Sequence, residues 1–184
     1  MKWENLKIEF KVAFNEKEVV IKNIRQQLLS LPGFGWEGPM EAAAYCLENN
    51  INYEEALNWI DLSISRHPVF QNKIIKVELL EKMENPSEAE KLKDETFDNS
   101  SENELNLYGY KLLNENKIDE AIEIFRKNLN RFSTSWNCYD SYAESLLKKG
   151  DVSKAKENYK KALELAPEDQ KERIDNLIRT LGAK

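Results

Sequence analysis

The sequence predicts an all-α fold: a solenoid of about four helix-turn-helix repeats with a capping helix at each end, preceded by one short N-terminal β-strand. Three observations lead there. Ala56, Ala89, Ala121 and Ala155 recur at intervals of 33, 32 and 34 residues, the near-constant period that marks stacked supersecondary units. Between them apolar residues return three and four positions apart, which is the spacing of one helix face. Capping residues fall at the ends of those periodic stretches, and capping is chemically independent of periodicity, so the two signals reinforce each other.

The clearest unit is WNCYDSYAESLLKKGDVSKAKENYKKALELAP, residues 136–167. Tyr139, Tyr142, Ala143 and Leu146 share a face of its first helix, and Ala155, Tyr159 and Ala162 share a face of its second. Gly150 and Asp151 supply the turn, and Pro167 closes the unit. This pattern resembles the tetratricopeptide repeat family, whose 34-residue unit carries an aromatic, a Leu-Gly-like pair and a second aromatic on one helix, then Ala, aromatic, Ala and Pro on the other. Ala143 and Leu146 stand where the family has its usual glycine and tyrosine. The resemblance implies a non-catalytic module that binds a protein or a peptide.

From the start of the chain, Leu6, Ile8, Phe10, Val12 and Phe14 alternate with Lys7, Glu9 and Lys11, the period of a half-buried strand. A single strand leaves its backbone donors and acceptors unpaired. Residues 3–14 are therefore expected to pair outside the helical stack, with a parent β-domain or with a second copy in a homodimer. The segments WENLKIEFKV and LPGFGWEG, followed by the repeats, resemble the C-terminal tail of bacterial proteins in which a small β-domain precedes a tetratricopeptide-like region. That resemblance implies a fragment of a longer protein, divided as residues 1–15, the strand, and 16–184, the repeat domain.

Residues 16–31 place Val20, Ile21, Ile24, Leu28 and Leu31 on one helical face, and Pro32 ends the helix. The first repeat spans about 37–70, with Ala43 and Ala44 on its first helix, Ala56 and Ile60 on its second, and Pro68 closing it. The second, about 70–101, is the most degenerate: Ile74, Val77 and Leu80 precede Ala89 on a polar second helix. The third, 102–135, recovers the pattern through Leu105, Tyr108, Gly109, Leu112, Ala121 and Phe125, and the fourth spans 136–169. Residues 168–181 form the C-terminal cap, with Ile174, Leu177, Ile178 and Leu181 on one face and Gly182 at its end. Ser101 with Glu104 reads as a capping box, Asn52 with Glu55 as a related cap, Asn85-Pro86 as a cap followed by a first-turn proline, and Asp151 as the cap of the last repeat's second helix.

Composition narrows the partners. A net charge of -6 and a pI near 5.1 argue against nucleic acid and an anionic membrane, both of which select clustered Lys and Arg. No apolar run approaches the roughly 20 residues of a membrane helix, and the N-terminus lacks the apolar core of a secretory signal. The chain reads as soluble, with localisation left open because it is expected to be part of a longer protein. Cys46 and Cys138 lie on separate helices without a CxxC spacing, so they read as buried thiols.

Motifs for chemistry fail on context. Gly33, Gly35 and Gly38 spell G-x-G-x-x-G, but a helix precedes them where a dinucleotide site needs a strand. Ser145 and Lys148 spell S-x-x-K inside a repeat helix, without the companion motifs of acyltransferases. Asp94 and Asp98 start a calcium-loop-like stretch, but Asn99 replaces its glycine and Leu105 its last glutamate. His67 is the only histidine, which removes two-histidine metal sites. No catalytic, cofactor-binding or metal-binding residues are expected.

What remains is the groove. In the family that the repeats resemble, positions two, five, nine and thirteen of each first helix line a concave face. Carried onto this chain, they give a peptide-binding site built from Tyr45, Asn103, Asn106, Tyr110, Asn137, Asp140, Glu144 and Lys148. The lysines and arginines of the family's carboxylate clamp are missing, which disfavours an acidic tail as ligand. Asp140 and Glu144, one turn apart, favour a ligand carrying Lys or Arg. The alternative is a structural appendage that packs on a parent β-domain or joins two copies, with no external ligand.

Overall fold

The computed structural model describes residues 16–182, and the N-terminal strand expected at residues 3–14 lies outside them. Among the described residues ten α-helices follow one another: α1 (Glu16–Gln27), α2 (Glu37–Asn49), α3 (Tyr53–Arg66), α4 (Phe70–Lys82), α5 (Pro86–Asp98), α6 (Glu102–Asn114), α7 (Ile118–Arg131), α8 (Trp136–Lys149), α9 (Val152–Leu165) and α10 (Glu168–Gly182), with a 3-10 turn at Leu31–Gly33. The all-α class and the helix-turn-helix pairing follow the sequence pattern. The contacts divide the chain into two compact units, 1–96 and 97–184.

In the first unit α2 packs on α3, α3 on α4, and α2 also on α4. Helix α2 thus meets its neighbour and the next but one, the contact pattern of stacked hairpins. The core is made of Ile21, Ala43, Cys46, Ala56, Ile60 and Leu79, with Val77, Leu80 and Ala89 in a smaller cluster. The periodic alanines sit at crossings because only a methyl fits between close helix axes; Ala56 is 0% exposed and Ala89 1%.

The glycine-rich loop has a packing explanation. A Cβ at Gly33 would lie 1.6 Å from the Leu28 carbonyl oxygen, and one at Gly38 would lie 2.1 Å from that of Pro32, so both are glycine because backbone passes against backbone. The Arg66 guanidinium then holds the loop by donating to the Gly33 and Gly35 carbonyls at 2.5 and 2.6 Å. At the joint between α3 and α4, buried Asn72 donates to the Ser63 hydroxyl at 3.0 Å and the His67 carbonyl at 2.8 Å, and its Oδ1 accepts from the Val69 amide at 3.0 Å.

In the second unit α6 packs on α7, α7 on α8, α8 on α9 and α9 on α10, and the two first helices α6 and α8 touch directly. Ala143, Ala155, Ala162 and Ile174 are fully buried between them, with Leu146 and Tyr159 beside them. Ser101 forms the expected capping box, its hydroxyl accepting from the Glu104 amide while the Glu104 carboxylate accepts from the Ser101 amide. Asp151 likewise accepts from the Lys154 amide at 3.2 Å. Asn52 differs: it is left-handed, with φ 49°, and makes no side-chain cap. Its amide instead donates to Glu55 Oε2 at 3.4 Å, because a left-handed residue closing a tight turn aims its side chain away from the first helical amides.

Candidate functional site

The second unit brings together most of the residues expected in the groove, on the adjoining helices α6 and α8. Register is the cause. Asn106 and Asp140 stand 34 residues apart, as do Tyr110 and Glu144, so successive repeats present them side by side.

Tyr110 is the centre of a hydrogen-bonded cluster. Its hydroxyl donates to Glu144 Oε2 at 2.9 Å and lies 3.2 Å from the Ser141 hydroxyl, which can donate back to it. Its ring meets the buried Phe125 edge-on, with centroids 5.2 Å apart. Burial pushes the phenol up to about 12, and the Glu144 carboxylate adds to that shift, so Tyr110 stays a neutral donor at every physiological pH. Tyr159 of α9, buried beneath, is raised further, by burial first and then by the negative charges of Asp140 and Glu144.

Asp140 lies beside this cluster and is only 8% exposed. Its Oδ2 accepts from Arg173 of α10 at 2.9 Å, whereas its Oδ1 is buried with no donor. Burial raises its pKa, and Arg173 offsets that shift only in part. A cation of the chain itself thus already holds one oxygen of Asp140. Asn106, half-buried, also has its Oδ1 buried without a donor.

The remaining expected residues divide. Asn137 donates to Glu102 Oε1 at 3.2 Å, an oxygen that also accepts from the Ser135 hydroxyl at 2.8 Å. Asn103 and Lys148 are exposed. Tyr45 belongs to the first unit, where it packs half-buried against the Ala43 and Cys46 core. Sequence reasoning missed Arg173, Ser141 and Glu102. Arg173 carried a usable signal, since it follows Asp140 by 33 residues, one short of the 34 that separate Asn106 from Asp140.

The side chains that the sequence singles out for bond-making chemistry lie apart from one another among the described residues. The Cys46 and Cys138 thiols are buried and pushed by that burial up to about 11 and about 12, so both stay protonated near neutrality. Ser145 is fully buried and donates to the Tyr142 carbonyl at 2.7 Å, while Lys148 is exposed. His67 packs its ring against Trp36 with centroids 5.5 Å apart. Among the described residues no group of three or more His, Cys, Asp and Glu could hold a metal ion, and no helix is long and apolar enough to cross a membrane.

Paired antiparallel helices with small residues at their crossings, and a polar cluster on adjoining first helices, define a helical repeat protein. Residues 136–169 match the family model of the tetratricopeptide repeat, so the chain carries a tetratricopeptide repeat there. Among solved structures the chain is similar to PilF of Pseudomonas aeruginosa, at 14% identity over 82% of this chain and 68% of that one, with a TM-score of 0.44. It is similar to MamA of Desulfovibrio magneticus RS-1, at 13% identity over 93% and 86%, with a TM-score of 0.46. A third likeness is to YrrB, described as a TPR protein with an unusual peptide-binding site, at 17% identity over 83% and 82%, with a TM-score of 0.43. No curated protein matches the sequence.

Proposed function

We propose that this chain is a non-catalytic scaffold module that binds an extended peptide segment of a protein along the first helices of its second unit. One observation carries the reading: two adjoining helices present a half-buried tyrosine and a carboxylate hydrogen-bonded to it, at the same register position of successive repeats. Tyr110 offers apolar area at low entropic cost and is the best single contact. Asn103, Asn106, Asn137, Asp140, Glu144 and Lys148 complete the proposed face, with Tyr45 at the equivalent position of the first unit.

The test is a pull-down from native lysate in parallel with a peptide array, using the wild type, Tyr110→Ala, and Asp140→Asn combined with Glu144→Gln. Capture that both variants lose supports the groove. Equal capture by all three places the contact elsewhere.

A second reading, an appendage that docks on a parent β-domain or joins two copies, is favoured by a different surface. Leu29 and Leu31 are 84% exposed and Phe34 75%, an apolar group next to the glycine-rich loop of the kind that contacts protein rather than water. Light scattering on the wild type and on Leu29→Ser with Leu31→Ser and Phe34→Ser decides whether that group joins two copies. A wild-type monomer that the substitutions leave unchanged removes the homodimer.

A further inference from the structure

The loop between α1 and α2 carries projecting apolar side chains next to a hollow. Leu29 and Leu31 are 84% exposed and Phe34 75%, whereas their chain neighbours Leu28 and Pro32, with Ile24 and Ala42, line a hollow of about 160 Å³. Gln27 and Glu41 line it as well, and both are exposed. Glu41 is the one charged side chain among the described residues around the hollow, and its exposure leaves the carboxylate in water. An apolar cavity of about 150 Å³ holds a benzene molecule, so this hollow has room for one phenyl ring. The loop is also rigid. Gly33 and Gly38 pass backbone against backbone, and Arg66 holds two of the loop's carbonyls, so little order has to be created on contact.

We propose that this surface joins two copies of the chain about a twofold axis, with the Phe34 ring of each copy seated in the hollow of the other. The proposal rests on the reading in which the apolar group joins two copies, and it names the seat. A second copy fits because the surface carries both halves of the contact: about a twofold axis one knob and one hollow are each used twice, and the patch is its own complement. Area sets the strength. Three apolar side chains exposed to this degree present on the order of 400 Å², and twice that falls below the roughly 1,200–2,000 Å² of a stable interface, in the range of transient encounters. The dimer is therefore weak and depends on concentration.

The experiment is a complementation in trans on the full chain, read by sedimentation velocity over the micromolar range with one partner fluorescently labelled. Phe34→Ser removes the knob and keeps the hollow; Ala42→Leu fills the hollow and keeps the knob. Each variant alone loses both seats. Burying one phenylalanine side chain is worth about tenfold or more in association, so self-association of either variant is expected to fall by about a hundredfold. An equimolar mixture of the two restores one seat, Phe34 of the Ala42→Leu copy in the hollow of the Phe34→Ser copy. The mixed dimer is then about tenfold weaker than the wild-type dimer and about tenfold stronger than either variant with itself. The chain with both substitutions restores no seat when mixed with the wild type, and its label stays on a monomer. Circular dichroism checks folding, and Ile24→Phe, which fills the hollow from another wall, replaces Ala42→Leu if that variant does not fold. A wild-type dimer without rescue in the mixture overturns the seat and leaves the joining of two copies standing. A wild type that stays monomeric at every concentration overturns both and leaves the patch to a parent domain.

Discussion

Gly109→Ala tests the packing that supports the site. An ideal Cβ at Gly109 would lie 2.6 Å from both Cε1 and Cζ of Phe125 and 3.0 Å from its Cδ1. Carbon atoms sit comfortably at about 3.5–4.0 Å, so the ring has to retreat by about 1 Å. It cannot swing into solvent, because Phe125 is 0% exposed, and its ring is also in edge contact with the Tyr110 ring, with centroids 5.2 Å apart. Overpacking of this kind costs about 1–3 kcal/mol. The helix itself gains up to about 1 kcal/mol when a glycine becomes alanine. Two contacts at 2.6 Å against a fully buried ring put the cost in the upper part of that range, about 2–3 kcal/mol, so the net loss is about 1–2 kcal/mol, or a fall in melting temperature of about 2–8 °C for a chain of this length. Urea denaturation followed by circular dichroism measures the first quantity and a thermal scan the second. Phe125→Leu serves as the partner in a double-mutant cycle: with the ring gone, the added methyl costs less, so the two losses sum to more than the double variant shows. A Gly109→Ala protein as stable as the wild type, or more so, refutes the reasoning.

Ala155→Leu places three extra carbons where α9 crosses its neighbours at a residue with 0% exposure; a loss of about 1–3 kcal/mol is expected, and an unchanged denaturation midpoint contradicts the crossing. In the first unit the Arg25 guanidinium donates twice to the Glu55 carboxylate at 2.7 Å and holds its pKa below the ordinary 4.5. A carboxylate lowered in the folded state adds stability above its unfolded pKa and loses it as pH falls through the folded pKa. Glu55→Gln is therefore expected to melt below the wild type near neutrality, with the gap closing on acidification; a gap that is the same from about pH 7 to pH 3 contradicts the pairing.

The fold was legible because its determinants are short-range and periodic. A methyl at Ala56, Ala89, Ala121 and Ala155 is needed wherever two helices cross closely, and a crossing that repeats in space repeats in sequence. Ser101 and Asp151 were legible for a similar reason, since a cap acts over three residues. Asn52 was not, because whether such a residue caps or closes a turn depends on a backbone angle that its neighbours decide. The residues proposed for the groove could be placed on α6 and α8 by register alone. What register does not give is occupancy. Arg173 sits on a helix read as a terminal cap with a solvated polar face, yet it reaches a carboxylate one repeat earlier. The unpaired oxygens of Asn106 and Asp140 are a property of burial and side-chain direction, neither of which a period contains.

The Asn72 joint bears on how the first unit deforms. A stacked-hairpin protein behaves as a spring whose compliance is the sum of its joints. At the α3–α4 corner one side chain grips His67, Val69 and Ser63 together, so bending there breaks three contacts in a single event. The α2–α3 connection, with Asn50 and Asn52 both left-handed, is held by main-chain turns and by separate side-chain bonds, Asn52 to Glu55 and Tyr53 to Asn50, so its contacts can break one at a time. Because the Asn72 side chain also ties up the Val69 amide, that amide is expected to exchange with deuterium more slowly than loop amides without a partner.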